Sequence, residues 1–174
     1  MKKGVEMKKL ILFVLLNITI FSSYEIRDNK VYYEGDLLKN ADVESFQILS
    51  HLYAKDKKNV YSFGEIIYEF DVESFEVCFT LGNDPTPTNY TKDKNSIYYL
   101  NVKLEQLDLD TFIALENYYG KDKKLVFFED HLVEYIDTKT FISYRKSQIV
   151  DGISYNSEDK NNYYSFGKIV KVKK

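Results

Sequence analysis

Residues 93–99 read Asp93-Lys94-Asn95-Ser96-Ile97-Tyr98-Tyr99, a polar turn that runs straight into a β-prone tripeptide. The same text returns as Asp56-Lys57-Lys58-Asn59-Val60-Tyr61, Asp122-Lys123-Lys124-Leu125-Val126-Phe127 and Asp159-Lys160-Asn161-Asn162-Tyr163-Tyr164, with a shorter version at Asp28-Asn29-Lys30-Val31-Tyr32. The β-type residue that closes each turn (Val31, Val60, Ile97, Val126, Tyr163) recurs at intervals of 29, 37, 29 and 37 residues. Fifteen residues after each of the first four stands a phenylalanine: Phe46, Phe75, Phe112, Phe141. Two anchors sharing one alternating period imply a small unit used four and a half times.

Within the unit the physics is local. Asp bonds its own backbone in a tight turn, and Asn tolerates left-handed backbone. Before the turn come Tyr53-Ala54-Lys55, Tyr90-Thr91-Lys92 and Tyr119-Gly120-Lys121, so two β-prone runs flank a polar turn and predict a hairpin. A second turn at Gly35, Gly64, Asn101, Asp130 and Gly167 leads to a short apolar run such as Ile66-Ile67, read as another strand. Then comes Asp-x-x-Ser/Thr-Phe, at Asp42–Phe46, Asp71–Phe75, Asp108–Phe112 and Asp137–Phe141. Asp three residues ahead of Ser or Thr suits an N-cap, predicting one helical turn before the Phe enters the core. The fold class expected is all-β: an array of short β-hairpin repeats with one helical turn per unit, solenoid-like or a curved sheet.

The alternation arises after the Phe. Ten residues separate Phe46 from Asp56 and Phe112 from Asp122, whereas 18 separate Phe75 from Asp93 and Phe141 from Asp159. Inserts therefore fall at equivalent places, Thr80–Thr88 and Ser147–Ser157, and should project from one side, where repeat proteins place binding surface. The units lie near 24–52, 53–89, 90–118 and 119–155, with a closing hairpin at 156–174, all in a single repeat domain over 24–174.

Residues 1–22 read as a secretory signal peptide. Lys2, Lys3, Lys8 and Lys9 precede an apolar run from Leu10 to Phe21, and small Ser22 and Ser23 follow. The run is shorter than the roughly 20 residues a membrane-spanning helix needs. Cleavage near Ser22 leaves no stable membrane span, the alternative being an uncleaved anchor. Cleavage would remove four Lys and one Glu, moving the formal net charge from −3 to −6. So acidic a chain has no global attraction for nucleic acid. The single cysteine, Cys78, excludes an intrachain disulfide and occupies a slot filled elsewhere by Leu49, Leu115 and Tyr144, so it reads as a small core residue.

These residues resemble the DKNYY repeat family of uncharacterised bacterial proteins, through Asp93–Tyr99, Asp159–Tyr164 and the intervening Asp-x-x-Ser/Thr-Phe blocks. The resemblance implies an exported, periplasmic or cell-surface protein built from this unit, and it brings no catalytic residues with it. Little chemistry is left once the repeat is subtracted. The recurring Asp residues read as caps and turn formers. His51 and His131, the only histidines, sit in slots that are polar in other units, and no zinc-protease or nucleophile-elbow pattern occurs. No catalytic, cofactor-binding or metal-binding residue is expected. The binding surface expected is a row of aromatics, Tyr33, Tyr99 and Phe128, if one residue of each strand pair fills the core and the other faces out. The competing reading is cross-strand packing within the array. The function expected is an interaction or scaffold module at the cell envelope, its partner an envelope protein or a glycan. The alternative is a carbohydrate-active or hydrolytic protein using loops 80–88 and 147–157.

Overall fold

In the computed structural model, residues 24–174 are described, and they form 19 short strands in five antiparallel sheets. Sheet 1 holds β1 (Tyr24–Arg27), β2 (Lys30–Tyr33) and β3 (Asp36–Leu37). Sheet 2 holds β4 (Gln47–Ile48), β5 (Tyr53–Lys55), β6 (Val60–Ser62) and β7 (Glu65–Ile67). Sheet 3 holds β8 (Glu76–Phe79), β9 (Pro87–Lys92), β10 (Ile97–Tyr99) and β11 (Val102–Lys103). Sheet 4 holds β12 (Ile113–Ala114), β13 (Tyr119–Lys121), β14 (Val126–Phe128) and β15 (His131–Leu132). Sheet 5 holds β16 (Ile142–Val150), β17 (Ile153–Glu158), β18 (Asn162–Ser165) and β19 (Lys168–Val172). Each is a meander in chain order, so sheet boundaries follow each Phe rather than falling at the hairpin openings that mark the sequence units. The signal-peptide reading of residues 1–22 lies outside the described residues. Among the described residues no helix is long and apolar enough to cross a membrane.

The core lies between the sheets, one cluster per gap. Tyr24, Val31, Phe46, Ala54 and Tyr61 join sheets 1 and 2. Tyr53, Val60, Phe75, Val77 and Tyr98 join sheets 2 and 3. Tyr90, Ile97, Tyr99, Ala114 and Phe127 join sheets 3 and 4. Tyr119, Val126, Phe141 and Tyr164 join sheets 4 and 5. Strand alternation explains the split: Val60 points toward the following sheet and its neighbour Tyr61 toward the preceding one. A three- or four-stranded sheet this short buries too little by itself, and stacking supplies the rest. At the outer faces a cation lies over a tyrosine: Arg27 is 4.6 Å from the Tyr32 ring centroid, and Lys173 is 4.5 Å from that of Tyr163, which also meets the Tyr155 ring at 4.6 Å.

The expected helical turn is not there. Ser45 N–H donates to Asp42 O at 3.2 Å and Phe46 N–H to Val43 O at 3.4 Å, which makes a tight turn, and Gln47 already pairs with Lys55. Four residues between the Asp and the strand are too few for an i→i+4 ladder to run. The capping chemistry itself survives: Asp71 Oδ1 accepts the Ser74 N–H at 3.0 Å and the Ser74 hydroxyl at 2.6 Å.

The two recurring motifs bind each other across every gap. The Asp of each four-residue turn uses one carboxylate oxygen at home and the other on the preceding segment. Asp93 Oδ1 accepts the N–H groups of Asn95 (2.8 Å) and Ser96 (2.9 Å), while Oδ2 accepts the Asp71 N–H at 2.9 Å. Asp56, Asp122 and Asp159 repeat the interunit bond to Asp42, Asp108 and Asp137 at 2.9, 2.7 and 2.7 Å. The Lys that follows completes the lock, with Lys57–Asp42, Lys94–Asp71, Lys123–Asp108 and Lys160–Asp137 at 3.2, 2.7, 2.6 and 2.8 Å. Its backbone N–H also donates to the Ser or Thr of the same motif, as Lys94 does to Ser74 at 2.9 Å.

This lock sets an acid limit. Lys94, then the Ser74 hydroxyl and N–H, hold the Asp71 carboxyl down from 3.8 to about 2, and Lys160 with Thr140 does the same for Asp137. Asp42 and Asp108 are lowered likewise, the first chiefly by Ser45 and the second chiefly by Lys123. A carboxyl whose folded value lies below its unfolded one stabilises the fold above the unfolded value, and that contribution is lost as pH falls through the folded value. Urea unfolding is therefore expected to show stability falling between about pH 4 and about pH 2. An Asp71→Asn/Asp137→Asn double variant should have the shallower slope in that window. Equal slopes would mean that the locks do not form in solution.

Candidate functional site

The inserts lie between the first and second strands of sheets 3 and 5. In sheet 3 the chain leaves β8 at Phe79 and re-enters β9 at Pro87. In sheet 5 the insert lengthens β16 and β17 into a hairpin whose tip, Asp151-Gly152, has both residues left-handed (φ 48° and 77°). Sheets 2 and 4 have only short connections there, around 49–52 and 115–118. Arg145 spans the short sheet 4: its guanidinium contacts Glu116 at 2.9 Å and the Asp84 carboxylate at 3.1 Å, and it donates to Asp84 O at 2.8 Å. Asp84 is the centre of the first insert, so that loop is tied to sheet 5. At its base the loop is closed by Thr80 N–H to Thr86 O (2.9 Å) and Thr86 N–H to Thr80 Oγ1 (3.0 Å).

A cleft of about 450 Å³ opens beside this insert. Sheet 2 contributes His51, Leu52 and Phe63, sheet 3 contributes Thr80, Thr86, Thr88, Asn89 and Leu100, and sheet 4 contributes Leu115, Glu116, Asn117 and Tyr118. Within each sheet one bond closes the strand ends beside the cleft: Phe63 N–H to Leu52 O (2.9 Å), Leu100 N–H to Asn89 O (3.2 Å) and Glu129 N–H to Tyr118 O (2.8 Å). Phe63 and Tyr118 are 46% and 50% exposed, and both hold left-handed backbone, at φ 51° and 64°. Such backbone costs a bulky residue roughly 1–2 kcal/mol where glycine would sit freely. The larger groove, about 820 Å³, runs along the edge strands β4, β8 and β12 past Ile48, Phe79 and Leu81.

The aromatic row expected from the sequence is corrected by the stacking. Tyr99 is buried at 5% exposure, 4.9 Å from the Tyr90 ring. Tyr33 is half-buried, 4.8 Å from Tyr24, and presses on the second turn of sheet 2, where a Cβ on Gly64 (φ 80°) would lie 2.8 Å from its ring. Phe128, half-buried, meets Gly167 (φ 76°) of sheet 5 similarly: a Cβ there would lie 2.9 Å from the Phe128 Cβ and 3.1 Å from its ring. The face taken as outward is the face on which the next sheet packs. The exposed aromatics of the cleft are Phe63 and Tyr118 instead; the slot of Phe63 carries Glu34, Leu100, Glu129 and Phe166 in the other second turns, and that of Tyr118 carries Leu52 and Asn89 ahead of the equivalent Tyr53 and Tyr90, so no recurring pattern marks them. Tyrosine hydroxyls also tie each sheet to the next: the Tyr24 Oη accepts the Gly64 N–H at 3.0 Å, and the Tyr119 Oη accepts that of Gly167 at 2.7 Å.

The remaining reactive groups are dispersed. Cys78 is in the core, where burial pushes its thiol up to about 12, the state of an inert packing residue. His51 lines the cleft, whereas His131 sits 2.5 Å from Asp130 at the second turn of sheet 4. Among the described residues no group of three or more His, Cys, Asp or Glu is placed to hold a metal ion.

Compared with known protein families, residues 24–168 match one description, the DKNYY family. The chain belongs to the DKNYY family. No curated protein and no solved structure matches it. The DKNYY motif can be given physical meaning from the bonds above: the Asp and Lys lock onto the preceding unit, the Asn or Ser closes the turn, and one Tyr packs back. Tyr61 and Tyr164 return to the turn Asp, donating to Asp56 and Asp159 at 2.7 and 2.9 Å.

Proposed function

We propose that this DKNYY protein is an exported interaction module at the cell envelope, in which the stacked sheets form a scaffold and the inserts form the contact surface. One observation carries the reading. The recurring residues are engaged in holding sheet to sheet, whereas off-pattern Arg145, in β16 just ahead of the second insert, holds Asp84 of the first insert beside an open cleft. A stack locked at every gap by paired motifs is a rigid mount, and binding residues concentrate on loops that such a mount positions.

The test is cosedimentation of the purified protein with isolated envelopes and with sacculi, followed by product analysis. Saturable retention without product is expected, reduced when Thr80–Thr88 is replaced by a short turn like that of sheet 2. Release of soluble fragments would assign the inserts to a hydrolase instead. Loss of retention on every envelope fraction would overturn the interaction reading, as would recovery of the tagged protein from the cytosol.

A further inference from the structure

We infer that the cleft between the Thr80–Thr88 insert and the hairpin ends of sheets 2 and 4 binds a neutral saccharide, with the rings of Phe63 and Tyr118 as stacking surfaces; this rests on the interaction reading above and names its ligand class. Both rings are half-exposed, and the left-handed slot of Phe63 holds Glu34, Leu100, Glu129 or Phe166 in the other sheets, so the turn itself does not call for an aromatic there. An exposed aromatic face beside hydroxyl and amide groups suits a sugar ring, whose C–H face is apolar and whose rim is polar. The rim here is supplied by Thr86, Thr88, Asn89 and His51. A volume of about 450 Å³ lies within the roughly 300–1,000 Å³ of small-molecule sites and admits about one or two pyranose rings.

Charge selects neutral over ionic ligands. The carboxylate in the lining, Glu116, is paired with Arg145, and Arg145 is itself shared with Asp84. Among the described residues that line the cleft there is no Lys or Arg to hold a phosphate or carboxylate. An extended peptide would ask for a sheet edge, whereas this cleft is walled by turns and by a loop already closed on itself through Thr80 and Thr86. The loop closure also holds the site in shape before any ligand arrives.

The probe is β-1,4-linked tri-N-acetylglucosamine, titrated into the purified protein and followed by calorimetry and amide chemical shifts. Saturable binding is expected, with shifts at Phe63, Asn89 and Tyr118. Phe63→Gly and Tyr118→Gly should each weaken it about tenfold or more. Glycine accepts the left-handed backbone, so the same variants should unfold at an unchanged or higher urea midpoint. A midpoint that falls together with binding makes the rings structural and overturns the assignment. So does binding that survives both substitutions, or shifts that map outside the cleft. If the trisaccharide fails to bind while the protein still sediments with envelopes, the saccharide assignment falls and the interaction reading stands; if sedimentation fails too, both fall.

Discussion

Truncating Phe75 to alanine is expected to cost about 3–5 kcal/mol and to cut the stack in two. The ring is 2% exposed in the gap between sheets 2 and 3, with its centroid 4.7 Å from Phe70 and 5.7 Å from Tyr53. Removing it leaves a void lined by side chains whose backbones are fixed in two separate sheets, which limits collapse. In a stack where, apart from the Arg145–Asp84 contact across sheet 4, each sheet packs on its neighbours, stability is roughly a sum of sheet and interface terms. A weakened second gap should therefore uncouple sheets 1 and 2 from sheets 3 to 5. Urea denaturation followed by hydrogen exchange checks this: amides of β5 and β6 should lose protection at lower urea than those of β13 and β14. Phe112→Ala supplies the comparison, because Phe112 occupies the same slot but is only half-buried, and it should cost less. Equal costs at the two positions, or a uniform loss of protection, would mean that the gaps are not separate cores.

The period and the two anchors could be read from the chain because each copy of a residue serves the same slot, so geometry repeats wherever the text does. The all-β class followed from the same text, since β-prone tripeptides around polar turns leave no room for sustained helix. What could not be read is what covers a strand's second face. Alternation assigns Tyr98 and Tyr99 to opposite sides, and nothing local says that both sides meet another sheet. Tyr33, Tyr99 and Phe128 therefore looked available and are instead packed between sheets. The helical turn failed for a different reason: Asp-x-x-Ser/Thr carries the bonding pattern of a cap, but β pairing takes hold at Gln47 and Ile113 before a second turn could form.

The partners of the interunit lock are spaced regularly in the sequence. Every four-residue Asp-Lys turn is preceded, 14 or 22 residues earlier, by the Asp of an Asp-x-x-Ser/Thr-Phe segment, and these are the two partners of the interunit lock. The shortened first turn fits the same rule. No Asp-x-x-Ser/Thr-Phe segment stands ahead of Asp28, which is exposed, and its turn tightens to Asp28-Asn29 with both residues left-handed, at φ 50° and 57°. The four-residue form belongs where a preceding unit must be gripped.

That grip makes the buried turn carboxylates the other sensitive points, and Asp56→Ala is expected to cost about 3–5 kcal/mol, as when one partner of a buried charged network is removed. Asp56 is 3% exposed. Its Oδ1 accepts the N–H groups of Lys58 and Asn59 at 2.7 and 2.8 Å, and its Oδ2 accepts the Asp42 N–H at 2.9 Å and the Tyr61 hydroxyl at 2.7 Å. Burial alone would raise this carboxyl, but the donors outweigh it and leave its pKa below the ordinary value. Alanine strands those donors, some of them beyond the reach of water. Asp56→Asn separates the two halves of the role. Its oxygen can still close the turn, but its amide then points donors at the Asp42 N–H, so the turn should persist while the link to the preceding unit is lost, at about 1–3 kcal/mol. Asp28→Ala, at an exposed turn with no Asp-x-x-Ser/Thr-Phe segment in residues 1–27, should stay within about 0.5 kcal/mol of the parent. Urea midpoints at pH 7 rank the three. If Asp56→Ala and Asp28→Ala cost the same, the turn carboxylates shape hairpins only and do not hold the units together.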